Sequence, residues 1–290
     1  EGGRKFRYLF SGDIGRPGQE ILRTAQPVEN VDFLQIESTY GNRVHSSPVD
    51  ARDELCQLVA GTVNRGGKVI IPAFSVGRTQ QIVYALNQLT DAGKLPRVPI
   101  YVDSPLSVNA TEIFRLHPEC FDDQTYAFLR EKGNPFGMEN LTYIRDVAHS
   151  MKLNELTDAA IIISASGMAE AGRVLHHLKN HGNDPVNLIL FVGYCAEHTL
   201  GAQILAGRSP VNILGEPHAI RARVAKIDAF SGHADRDELS SYVKSLTGQF
   251  KKTFVVHGEE ESALAFGERL KQLLPKSEIT VPVLHQAIEV

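Results

Sequence analysis

At 290 residues with 42% hydrophobic content, the chain can bury a large core and is expected to form one or two domains. A charged fraction of 22% argues against extended disorder, and a net charge of −4 argues against a protein that grips nucleic acid by bulk positive charge. Any bound nucleic acid must therefore lie in a local groove, its phosphates met by a few basic residues, other donors and metal ions. Cys56, Cys120 and Cys195 form no CxxC pair and no even framework, which reads as reduced thiols in a reducing, cytoplasmic compartment. No apolar run approaches the ~20 residues that a membrane span needs.

Short β-rich apolar runs alternate with amphipathic helical stretches along the chain. Residues 6–10 and 31–36 are predicted strands. Residues 48–65 are a predicted helix, with Ser47 as N-cap, Leu55, Leu58, Val59 and Val63 on one face, and Gly66 beyond its end. Strand 68–72, helix 77–92, strand 98–102 and helix 106–116 follow. Residues 122–152 show weaker periodicity and several Gly, Asn and Pro residues, so they read as an irregular excursion. Strand 159–163, helix 168–180 and strand 188–192 resume the theme. Strand 224–230, helix 236–246, strand 253–256 and helix 259–274 close it. Such alternation indicates an α/β fold with largely parallel strands covered by helices on both faces.

The unusual polar residues fall where predicted strands end. Ser11-Gly12-Asp13 follows the first and Glu37-Ser38-Thr39 the second. Phe74-Ser75-Val76-Gly77-Arg78, Asp103-Ser104-Pro105, Ser164-Ala165-Ser166-Gly167-Met168, Ser231-Gly232-His233-Ala234-Asp235 and His257-Gly258-Glu259 follow later ones. Ligands of parallel α/β sheets bind outside the carboxyl ends of the strands. The expectation is that Asp13, Glu37, His233 and His257 gather along one edge as a site.

Each residue alone admits a plainer reading. Asp13, on a Gly-flanked turn, suits Zn²⁺ or a pair of bridged cations, and equally suits a turn or N-cap aspartate. His257 is a ligand candidate or a hydrogen-bonded strand end. His233 is a ligand, a proton donor or a polar strand end. Glu37 either orients a histidine from behind or sits solvated. The small residues Ser164, Ser166 and Gly167 would let backbone N–H groups meet an anion at a helix N-terminus, or form an ordinary cap. Arg78 and Arg173, each near a helix start, are candidate phosphate contacts or surface ion pairs. His176 and His177 point to opposite sides of a helix and read as solvated surface.

Taken together and in this order, these motifs resemble the β-CASP branch of the metallo-β-lactamase superfamily. Those RNA- and DNA-processing nucleases include the endonuclease of eukaryotic pre-mRNA 3′-end formation and its prokaryotic relatives. The resemblance rests on the runs 11–13, 36–41, 71–78, 103–106, 164–168, 230–235 and 256–259 and covers essentially the whole chain. It implies a partial metallo-β-lactamase αββα sandwich, residues 1–41 and 230–290, with an inserted parallel-sheet α/β β-CASP domain, residues 42–229. By the same resemblance Asp13 matches an aspartate bridging two zinc ions and His257 the terminal zinc-binding histidine. Glu37 matches the acidic residue that supports a metal-site histidine, and His233 the histidine beside the scissile phosphate. It further implies RNA as substrate, because histidine at the position of His257 resembles the RNA enzymes rather than the DNA-repair members. A homodimer is a candidate assembly, and no membrane partner is expected.

One departure is large. The family's HxHxDH motif is nowhere in these 290 residues. The chain is therefore expected to be a C-terminal portion of a longer zinc-dependent ribonuclease, inactive alone, in which two zinc ions, hydroxide attack on phosphorus and His233 as phosphate stabiliser or acid would cut RNA. The alternatives are a non-catalytic RNA-binding or scaffolding subunit, and a small-molecule metallohydrolase, against which the long insertion between Asp13 and His257 counts.

Overall fold

A computed structural model describes residues 5–45 and 48–289. In chain order the elements are β1 (Tyr8–Phe10), β2 (Val31–Glu37), α1 (Pro48–Val63), β3 (Val69–Pro72), α2 (Arg78–Asp91), β4 (Ile100–Asp103) and α3 (Pro105–Leu116). Next come α4 (Asp123–Lys132), β5 (Leu141–Ile144), α5 (Val147–Lys152), β6 (Ile161–Ser164), α6 (Val174–His181), β7 (Leu188–Phe191) and α7 (Leu200–Leu205). The chain ends with β8 (Val211–Ile213), β9 (Glu216–His218), β10 (Arg223–Lys226), α8 (Arg236–Ser245), β11 (Gly248–Val256), α9 (Glu260–Leu273) and β12 (Glu278–Thr280). They form two compact units, a smaller one of residues 5–19, 24–45 and 232–289 and a larger one of residues 20–23 and 48–231.

The smaller unit is a four-stranded sheet in the order β1-β2-β11-β12, every neighbouring pair parallel. Its core joins Leu34 and Ile36 of β2 and Val255 of β11 to Leu239 and Val243 of α8 and Phe266 and Leu270 of α9. The helical residues recur at four-residue spacing, so each helix turns one apolar stripe to the sheet. Each such side chain contributes about 1.5–3 kcal/mol on burial. Gly41 lets the chain pass close to α9: a Cβ there would lie 2.5 Å from the Ser262 carbonyl oxygen and 2.6 Å from Phe266 Cβ.

The larger unit carries a six-stranded, wholly parallel sheet in the order β10-β7-β3-β6-β4-β5. Strands β3, β6 and β7 are buried at every position. Val69, Ile71, Ile161, Ile163, Leu188 and Leu190 face a core shared with α1 and α2, whereas Ile70, Ile189 and Phe191 face one shared with α6 and α7. The continuous apolar runs are thus strands covered on both faces. Leu55, Leu58, Val59 and Val63 lie together in the first of those cores, as their spacing predicts; the proposed cap Ser47 falls outside the described residues.

Three expectations are corrected. Residues 122–152 are not irregular: they hold α4, β5 and α5. Their pattern is faint because α4 buries only Thr125 and β5 is an edge strand that fully buries only Ile144. The helix expected from residue 168 begins at Val174, since Ala169 (φ +58°) and Gly172 (φ +86°) are left-handed and hold the preceding residues in a compact loop. His177 is not solvated but fully buried, its Nε2 2.7 Å from Asp103. Helix α7, the antiparallel β8–β9 hairpin and strand β12 were not anticipated; all are three to six residues long, too short for a periodic signal.

Candidate metal centre and anion-binding loop

Parallel pairing brings three chain segments out at one edge of the smaller unit. Phe10 pairs with Gln35, and the Ser11 N–H donates to the Gln35 carbonyl at 2.9 Å, so Asp13 emerges beside the end of β2. Glu37 pairs with Val256, which puts Thr39 next to His257. The Ser38 N–H donates to the His257 carbonyl at 3.2 Å. His257 has left-handed backbone, φ +53°, and at Gly258 a Cβ would meet the Ser38 carbonyl oxygen at 2.6 Å. The segment carrying His233 runs alongside, the Ala234 N–H donating to the Ile14 carbonyl at 2.7 Å. It then enters α8 through a capping box in which Asp235 accepts from Asp237 and Glu238 N–H groups and the Glu238 carboxylate accepts from the Asp235 N–H.

Asp13, His233 and His257 each bring one ligand-type atom within 4.8 Å of the others, the only such group among the described residues. Nδ1 of His257 is 3.5 Å from Oδ1 of Asp13, and the two imidazole centroids are 5.4 Å apart. The Asp13 and His257 side chains are 60% and 57% exposed, so the group is open on one side. Carboxylate oxygen and imidazole nitrogen are the donor types that suit zinc. The residues present fit a metal ion.

Glu37 lies behind this group at 1% exposure. Its Oε2 accepts Nδ1–H of His233 at 2.9 Å and its Oε1 accepts the Ile14 N–H, so one buried carboxylate steadies both the histidine and the turn that carries Asp13. Thr39, missed as a functional residue, places its hydroxyl against both histidines. Its position two residues after Glu37 was the available signal, but nothing in the pattern separated it from an ordinary strand end.

In the larger unit, Ser164 ends β6 and donates to the Asp103 carbonyl at 2.8 Å. Ser166 Oγ accepts the Glu170 and Ala171 N–H groups at 3.0 and 3.3 Å. Gly167 packs on Phe74, whose ring a Cβ would meet at 2.8 Å. Arg78 opens α2 after Gly77 and donates to Gln81 at 2.7 Å. Arg173 is engaged by Asp103 Oδ1 at 2.8 Å and by the Ile144 and Arg145 carbonyls. Asp103, fully buried, also receives Ser150 at 2.6 Å and His177 at 2.7 Å. Burial pushes its carboxyl pKa up, but the hydrogen bonds from His177, Ser150 and Arg173 outweigh that and hold it below the usual carboxylate value.

Residues 79–204 match the family model described as the Beta-Casp domain, and residues 217–282 match that of the Zn-dependent metallo-hydrolase RNA specificity domain. The chain is 37% identical over 262 residues to Ribonuclease TTHA0252 of Thermus thermophilus, covering 90% of this chain and 59% of that protein. The chain belongs to the β-CASP family of the metallo-β-lactamase superfamily.

Two further relatives are similar along most of the chain. An RNase J-like protein of Methanocaldococcus jannaschii is 34% identical over 280 residues, 96% of this chain and 64% of its own. Transcription termination factor FttA of the same organism is 32% identical over 294 residues, 98% of this chain and 46% of its own. The chain thus spans less than two thirds of the length of these relatives. The Beta-Casp match lies wholly in the larger unit, and the second match contains both His233 and His257. The description of that second model supports a metal cofactor. Among the described residues no helix is long and apolar enough to cross a membrane.

Proposed function

We propose that this chain contributes to a zinc-dependent ribonuclease that hydrolyses RNA phosphodiester bonds. The larger unit is the inserted β-CASP domain and the smaller one part of the metallo-β-lactamase domain. The carrying observation is the convergence of Asp13, His233 and His257, with buried Glu37 behind them. The names of two relatives, a ribonuclease and an RNase J-like protein, point to the same substrate.

Asp13 and His257 hold metal, in the intact protein as part of a two-zinc site. When bound, zinc supplies Lewis acidity toward the phosphate and hydroxide near neutral pH. His233 faces the scissile phosphate and hands its proton to the leaving oxygen, a role worth roughly 10²–10⁴-fold. Glu37 keeps that ring in place by accepting its Nδ1–H. Arg78 and the Ser166-Gly167 turn hold substrate phosphate in the larger unit. Ser164 and Arg173, tied to Asp103, give that loop its shape. The non-catalytic alternative is disfavoured because the four polar side chains of the metal centre converge rather than scatter.

The test is single-turnover cleavage of matched single-stranded RNA and DNA by the protein that carries this chain, beside its Asp13→Ala variant. RNA cleavage lost with Asp13, and much weaker action on DNA, is expected. An Asp13→Ala protein that cuts at the parent rate, or efficient turnover of a β-lactam, would overturn the reading.

A further inference from the structure

The hydroxyl of Thr39 stands between the two histidines of the metal centre. Its Oγ1 is 3.2 Å from Nδ1 of His257, 3.1 Å from the His257 carbonyl oxygen and 3.4 Å from Nδ1 of His233. A threonine hydroxyl has one proton to donate and two lone pairs with which to accept. Ionised carboxylates only accept. Glu37 Oε2 lies 2.9 Å from Nδ1 of His233, and Asp13 Oδ1 lies 3.5 Å from Nδ1 of His257. The Glu37 carboxylate therefore takes the Nδ1 hydrogen of His233, and the ring of His257 is left to be set by Thr39. One assignment then suits the contacts of Thr39. Thr39 Oγ1 accepts Nδ1–H from His257, lies within reach of that of His233, and donates its own proton to the His257 carbonyl, which also receives the Ser38 N–H.

We propose that Thr39 is the positioning residue of His257, fixing the ring and its tautomer so that the lone pair on Nε2 is the donor offered to a metal ion. The side chain suits the task because a β-branched residue holds χ1 stiffly and so aims its hydroxyl. The residue is 9% exposed, which keeps water from substituting for that hydroxyl. The bond to the carbonyl also steadies His257 in its left-handed backbone, φ +53°. Metal-bound histidines commonly have their second nitrogen held this way, and losing that outer partner weakens metal affinity by about 10–100-fold.

The inference rests on the reading of Asp13 and His257 as metal ligands but not on RNA cleavage. The test uses the metal-free form of the protein that carries this chain. Ring ¹⁵N chemical shifts, read through two-bond ¹⁵N–¹H correlations, assign the tautomer of each histidine, and Zn²⁺ titration by calorimetry gives affinity. His257 is expected as the Nδ1–H tautomer in the parent and in Thr39→Ser. Thr39→Val should shift it toward Nε2–H or a mixture and weaken Zn²⁺ binding by about 10–100-fold, with Thr39→Ser restoring most of it. An Nε2–H His257 in the parent chain, which needs no variant, overturns the proposal. So does a Thr39→Val protein with unchanged ring shifts and Zn²⁺ affinity, or a Thr39→Ser protein as impaired as Thr39→Val. The predicted tautomer pattern in a protein that never cuts RNA would refute the ribonuclease reading and support the role of Thr39.

Discussion

Glu37 and His233, 196 residues apart in the chain, meet in a 2.9 Å hydrogen bond accepted by the Glu37 carboxylate, whose residue is only 1% exposed. A buried carboxylate behind an imidazole fixes the ring and the nitrogen that carries its hydrogen. Glu37→Gln keeps the shape and removes the charge. Cleavage by the intact protein should fall by about 10²-fold, the scale of a general-acid contribution, while metal content stays near that of the parent. Glu37→Ala also removes the acceptor of the Ile14 N–H beside Asp13, so metal affinity should fall as well. Metal analysis beside single-turnover rates separates the two variants, and a Glu37→Gln protein with the parent rate refutes the role.

The two histidines should separate by metal content. His257→Ala should lose metal and activity together. His233→Ala should retain most of its metal while its cleavage rate falls, and a substrate with a better leaving group should recover part of that loss. Because both rings belong to one ligand-like group, the outcome is decisive. Equal metal loss in both variants makes His233 a ligand, and full activity in His233→Ala removes it from the mechanism.

Arg78 sits in the larger unit, whereas Asp13, His233 and His257 sit in the smaller one. Arg78→Ala should weaken RNA binding several-fold, and the slope of affinity against salt should become shallower by about one charge. Metal content should not change. Filter binding over a salt series, with metal analysis of the same preparations, checks both halves.

Acid should loosen the larger unit through His181. Its ring donates to the Leu153 carbonyl from a buried position, and burial lowers its pKa to about 4 from 6.5. The unfolded chain takes up a proton as pH falls below 6.5 and the folded chain does not until about pH 4. Stability contributed by the neutral ring is therefore present above pH 6.5 and is lost progressively down to about pH 4. His181→Gln, which keeps a donor and cannot charge, should flatten that decline. Urea midpoints at pH 7 and at about pH 4.5 measure it, and equal slopes in the two proteins would rule His181 out as the cause.

Much of the architecture was legible from local pattern. Apolar runs such as Val69–Pro72 and Ile161–Ser164, each followed by small or polar residues and a helix, demanded a parallel sheet with loops gathered at its carboxyl edge. That rule alone put Asp13, Glu37 and His257 on one side of β1, β2 and β11. The segment 122–152 stayed hidden because an exposed helix and an edge strand bury too little to imprint a period. The lasting gap concerns partners. Nothing near His177 announces Asp103, 74 residues earlier, and nothing near Thr39 announces two imidazoles about 200 residues later. A strand's alternation states which face is apolar, but not which residue of another strand stands opposite, since every register offset by two conserves the alternation. Pairing Glu37 with Val256 rather than a residue two away is what puts the Thr39 hydroxyl against His257, and packing of the whole sheet, not the local residues, sets that register.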